Sequence, residues 1–160
     1  ALEMGGNNPL VVGHTNTTAM DSIVYTIIQS HLITTGQRCV AARRLLLPQD
    51  QRGDEILEQL SFSLDRVLGG DPSVSETYYG PLIHPEAADK LLNKQSWLQE
   101  QGYVKRDLLR LKISESNPAF VTPGLMEMDP SAHSFDEEED WDDDDDEAED
   151  YDEDDEEEYE

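Results

Sequence analysis

Basic residues are scarce and unevenly placed: 11 Lys and Arg stand against 37 Asp and Glu in 160 residues, a formal net charge of −26. Counterion release on phosphates or anionic lipid needs clustered Lys and Arg, so neither nucleic acid nor a membrane surface is an expected partner. Cysteine occurs once, at Cys39. A single thiol excludes an internal disulfide framework and a Cys-rich zinc site, and it suits a reducing compartment. Long apolar runs are also missing. Nothing approaches the roughly 18 residues that a membrane span needs, and no charged, apolar, small-residue series opens the chain as a signal peptide would. The expectation is a soluble, cytoplasmic protein.

The charge divides the chain. Residues 136–160 carry 21 of the acidic side chains and no Lys or Arg, interrupted only by Trp141, Ala148, Tyr151 and Tyr159. Self-repulsion and the lack of buriable apolar surface leave nothing to offset the entropy of ordering such a segment, so a disordered, low-complexity tail is expected there. Residues 1–135 hold 16 acidic against 11 basic residues and are only mildly acidic. This body reads as one partial domain. The opening Ala1-Leu2-Glu3-Met4-Gly5-Gly6 reaches a glycine pair after four residues, as a chain entered in mid-domain would, and a fragment is expected.

Within the body, residues 9–12 form a short β-branched and apolar run that reads as a buried strand. Met20, Ile23, Val24, Ile27, Ile28 and Leu32 recur with helical spacing, with Thr18 and Asp21 as the expected N-cap and acidic first turn and Gly36 as the stop. A second strand is expected over 39–47, closed by Pro48. A second helix is expected over 54–68, ended by Gly69-Gly70, with Ile56, Leu57, Leu60, Leu64, Val67 and Leu68 inward. A third runs from Pro85 to about Gln101, with Ala88, Leu91, Leu92 and Leu98 inward. Further strands are expected over 108–113 and 120–126. Strands alternating with helices of this length indicate an α/β layer architecture.

Three features bear on chemistry: the acid Glu3 beside Gly5-Gly6, the thiol in Gly36-Gln37-Arg38-Cys39, and the helix between them. Alone, each has a plain reading: Cys39 as a small buried hydrophobe, Glu3 as a solvated surface charge, the glycines as an ordinary turn. A cysteine just past a glycine turn and beside a cation is also the setting of a nucleophile. Together, Leu2-Glu3-Met4-Gly5-Gly6-Asn7-Asn8-Pro9 and Gly36-Gln37-Arg38-Cys39 resemble the two signature segments of the aldehyde dehydrogenase superfamily. Asn7-Asn8-Pro9 and the run Arg43-Arg44-Leu45-Leu46-Leu47 most resemble the branch that oxidises N-succinylglutamate 5-semialdehyde. Tyr79-Gly80-Pro81-Leu82-Ile83 and Thr122-Pro123-Gly124 match as well, so the resemblance spans about residues 1–138.

The resemblance implies a partial aldehyde dehydrogenase catalytic domain and NAD or NADP as cofactor. Cys39 would be the nucleophile that attacks the aldehyde carbon, its backbone N–H one donor to the oxyanion, and Glu3 the base that activates water to hydrolyse the thioester. Gly5 and Gly6 would let the backbone pass close to the nicotinamide, and Glu138 would hold the nicotinamide ribose. The longer enzyme would be a homo-oligomer acting in arginine breakdown, and this stretch alone would be inactive. The rival expectation is a non-catalytic protein whose acidic tail binds basic partners. His14, His31, His84 and His133 are scattered without metal-site spacing, and the tail lacks the glycine-centred loop of a tight calcium site, so no metal is expected.

Overall fold

The computed structural model describes residues 6–14 and 19–129. Thr18, Glu3, Gly5, Glu138 and the acidic segment 136–160 lie outside the described residues.

The chain departs from pure alternation: one parallel strand pair linked by a helix, then helices, then antiparallel ladders. Strand β1 (Asn8–Val11) pairs in parallel with β2 (Ala42–Leu46), in the register Leu10 opposite Leu45 and Val11 opposite Leu46. Val12 extends the ladder by donating to the Leu46 carbonyl at 2.9 Å. Helix α1 (Met20–Leu32) makes the crossover that parallel strands require. Its sequence is rich in β-branched residues that favour strands, so packing decides its conformation: Ile23, Val24, Ile27, Ile28 and Leu32 are all buried. The residue at its N-cap is Ala19, not the expected Thr18, and no side chain caps the helix. The Ala19 carbonyl receives the Ser22 and Ile23 N–H groups instead.

Helix α2 (Gln51–Leu64) begins three residues before the expected start because the Asp50 carboxylate accepts the Gly53 N–H at 3.0 Å. It also ends four residues early. Beyond Leu64 the bonds tighten to Arg66 N–H on Ser63 and Val67 N–H on Leu64, and residues 68–70 then run beside Tyr78 and Tyr79. Ile56, Leu60 and Leu64, four apart, pack on α1 and form the main core with Tyr79 at its edge. Tyr79 stacks on Phe120 with ring centroids 5.3 Å apart, and burial pushes its hydroxyl pKa up to about 12. The pair fills the space over Gly69, where any Cβ would enter the rings.

Helix α3 (Pro85–Glu100) has proline in its first turn and His84 as N-cap, whose Nδ1 accepts the Ala87 N–H at 3.2 Å. Ala88 faces inward as expected, whereas Leu91 is exposed and Gln95 takes an inner place. Gln95 explains why the single strand expected over 108–113 is broken. Its Oε1 accepts the Leu111 N–H at 2.8 Å, and the Thr122 hydroxyl accepts the Lys112 N–H at 3.0 Å, so side chains replace ladder partners there. The chain forms β3 (Val104–Leu109), β4 (Ile113–Ser114), β5 (Asn117–Val121) and β6 (Leu125–Met128), with β3 antiparallel to β6 and β4 to β5. Leu82, Ala88 and Val121 make a second, smaller core. No helix among the described residues is long and apolar enough to cross a membrane.

Candidate functional site

The parallel pairing of β1 with β2 brings the glycine segment and the cysteine segment side by side although 31 residues separate Asn8 from Cys39. Cys39 lies in a turn before β2, not in a strand as expected; the Ala41 N–H closes that turn on the Arg38 carbonyl at 3.1 Å. The residue is exposed. The plain reading of a buried apolar thiol therefore does not hold, because the hydrogen-bonded turn turns this residue outward.

What fixes the turn is the start of β1. The Asn8 amide donates to the carbonyls of both Cys39 and Ala41, and the Arg44 guanidinium donates to the Asn7 carbonyl from Nε at 3.1 Å and from Nη2 at 2.7 Å. Gly6 faces the Cys39 carbonyl. A Cβ at this position would drive into the Cys39 carbonyl oxygen, so the missing side chain is the space in which the cysteine turn sits. That is a packing reason for glycine which the sequence alone did not offer.

On its upstream side the turn is unusual. Thr34 and Thr35 have φ of 54° and 59°, and Gly36 follows at 69°. Glycine accepts the left-handed region, whereas β-branched residues do so at a cost of about 1–3 kcal/mol each. The helix stop expected at Gly36 comes earlier: α1 ends at Leu32, and a strained 3-10 turn (Ile33–Gly36) carries the chain to the cysteine. The Thr35 hydroxyl donates to the Gly80 carbonyl at 3.0 Å, and Gln37 bonds to Pro81 and Ile83. Gln37, Asn8 and the 79–83 segment belong to the motifs, but their role is visible only in these tertiary contacts.

His31, in the last turn of α1, approaches the Ala42 carbonyl with Nδ1 at 3.0 Å. Burial, the largest cause, and the nearby Arg43 charge hold its imidazole below the ordinary 6.5, against the opposing pull of that hydrogen bond. The unfolded chain thus binds this proton more readily than the folded one. Stability is fully present above pH 6.5 and is lost as the pH falls through the lowered folded value. Denaturation midpoints at pH 7.5 and 5.5 should differ more for the parent than for His31→Gln; an equal drop in both would remove His31 as the cause.

Of the site residues expected from the sequence, the structure describes Cys39 and Gly6 and brings them together.

Comparison with known proteins extends this picture. The family model described as the aldehyde dehydrogenase family matches residues 1–139. N-succinylglutamate 5-semialdehyde dehydrogenase 1 of Caulobacter vibrioides is 40% identical over 129 residues, covering 80% of this chain and 26% of the relative. The N-succinylglutamate 5-semialdehyde dehydrogenase of Pseudomonas fluorescens is 40% identical over 139 residues, covering 86% and 28%. Among solved structures, an NADP-dependent enzyme of E. coli superposes with a TM-score of 0.65 at 28% identity, covering 80% of this chain and 26% of that one. The chain spans roughly a quarter of the length of these curated relatives.

Proposed function

Since this chain belongs to the aldehyde dehydrogenase family, we propose that it carries the nucleophile and the deacylating base of an NAD(P)-dependent oxidation of an aldehyde to a carboxylate. The proposed substrate is N-succinylglutamate 5-semialdehyde, the aldehyde in the names of both relatives. The carrying observation is the exposed Cys39 on a turn whose carbonyl rests on Gly6 and Asn8, three to five residues after Glu3 in sequence.

NAD or NADP, when bound, supplies the hydride acceptor. Gly5, Gly6 and Glu138 are the residues proposed to hold it, and Gly6 lies against the backbone of the residue that bears the thiol. The chain's own residues do the rest. The Cys39 sulfur bonds to the aldehyde carbon while its backbone N–H donates to the developing oxyanion. After oxidation a thioester joins the acyl group to Cys39. Glu3 takes a proton from water, the hydroxide oxygen bonds to the acyl carbon, and the carbon–sulfur bond breaks, releasing the carboxylic acid and the cysteine.

The experiment uses a longer protein containing this segment together with a cofactor-binding region. Purified enzyme should reduce NAD or NADP faster with N-succinylglutamate 5-semialdehyde than with an uncharged aldehyde of similar length; equal rates would remove the substrate assignment. In Glu3→Gln the first turnover should persist as a stoichiometric burst of reduced cofactor. The steady state that follows should slow by roughly a hundredfold or more, the scale of a lost general base. Slow turnover without a burst would take the deacylation role away from Glu3.

A further inference from the structure

Gln37 is exposed, yet both ends of its side-chain amide are engaged. Oε1 accepts the Ile83 N–H at 2.8 Å, and Nε2 donates to the Pro81 carbonyl at 3.4 Å. The amide therefore takes the place of a neighbouring strand, pairing with two backbone groups of the segment 81–83. One step upstream the Thr35 hydroxyl holds the Gly80 carbonyl. The segment so gripped is itself anchored: Leu82 is buried in the second core with Ala88 and Val121, and its N–H donates to the Ala119 carbonyl at 2.8 Å.

Between these bonds lies the left-handed stretch Thr34-Thr35-Gly36. Strain of this kind persists only where surrounding contacts over-determine the backbone. On the other side of the thiol, the Asn8 amide holds the Cys39 and Ala41 carbonyls. Cys39 is thus suspended between two side-chain amides, one tied to β1 and the other to the second core.

We propose that Gln37 is a positioning residue for Cys39, clamping the cysteine turn to the rigid 81–83 segment so that the thiol is presented in one orientation. The proposal rests on Cys39 being the nucleophile. Misplacing a reacting group by about 1 Å costs on the order of a hundredfold in rate, so a clamp two residues from the thiol bears directly on turnover.

Cys39 is the chain's one thiol, which allows a nitroxide label at that position to report its mobility without any need for activity. Gln37→Met keeps the side-chain length and loses both bonds; Gln37→Glu keeps the acceptor for Ile83. The label should tumble at least about twofold faster in Gln37→Met than in the parent, with Gln37→Glu between them. In the longer enzyme Gln37→Met should lower kcat by about tenfold, leave the aldehyde KM nearly unchanged, and be partly rescued by Gln37→Glu. Unchanged label mobility with a lowered thermal midpoint would overturn the proposal and leave Gln37 a merely structural residue, as would a raised KM with normal kcat. If Gln37→Met fails to fold, Gln37→Glu alone decides: parental mobility and parental kcat in it would overturn the proposal. Faster tumbling in a protein whose Cys39→Ala variant turns over normally would refute the positioning role by refuting the nucleophile, while leaving the clamp as a structural fact.

Discussion

Replacing Cys39 by alanine in a longer enzyme that contains this segment is expected to abolish turnover, by roughly a millionfold, the scale on which removal of a covalent nucleophile acts. No bond to the aldehyde carbon can form, so both the steady state and the initial burst of reduced cofactor disappear. That is the contrast with Glu3→Gln, which should retain its burst. The substitution is structurally mild. Cys39 is exposed, and the bonds that hold its turn run to backbone carbonyls that alanine preserves. Circular dichroism and the thermal midpoint should therefore stay at parental values, and a loss of activity then speaks to chemistry. Normal steady-state turnover in Cys39→Ala would overturn the functional assignment.

Gly6→Ala should also be damaging, less severely and for a different reason. The new methyl would enter the carbonyl oxygen of Cys39, and backbone cannot rotate aside as the end of a flexible side chain would. Either β1 separates from the cysteine turn, breaking the Asn8 bonds, or the turn moves. Overpacking of this kind costs about 1–3 kcal/mol, and a displaced thiol costs on the order of a hundredfold in rate. The 160-residue chain should show the lowered denaturation midpoint, and the longer enzyme the lowered kcat. The result also separates two roles for this glycine. If its only task were to let the cofactor approach, Gly6→Ala would keep the parental midpoint and raise the cofactor Kd alone.

Much of this was legible in the residues themselves. The positions of α1, α2 and α3 followed from apolar spacing, since a helix that must bury one face writes a period near 3.6 into its sequence. The two signature segments were readable because the proposed chemistry asks for particular side chains: a thiol, a carboxylate, and glycine where backbone must come close. Family membership came from the same stretches.

Contacts between distant residues were not legible. Nothing local distinguishes Asp50 as the cap that starts α2 early, or Gln95 and Thr122 as the side chains that interrupt the strand expected over 108–113. The left-handed Thr34 and Thr35 run against the preference of their own residue type, so a propensity argument points away from the observed backbone. Gly6 shows the division most clearly. The sequence by itself determined that a glycine precedes β1 and that a thiol follows α1. Only the parallel pairing of β1 with β2 decided that the two meet, because a glycine's missing side chain acquires meaning from what occupies the space, and here the occupant is the carbonyl of Cys39.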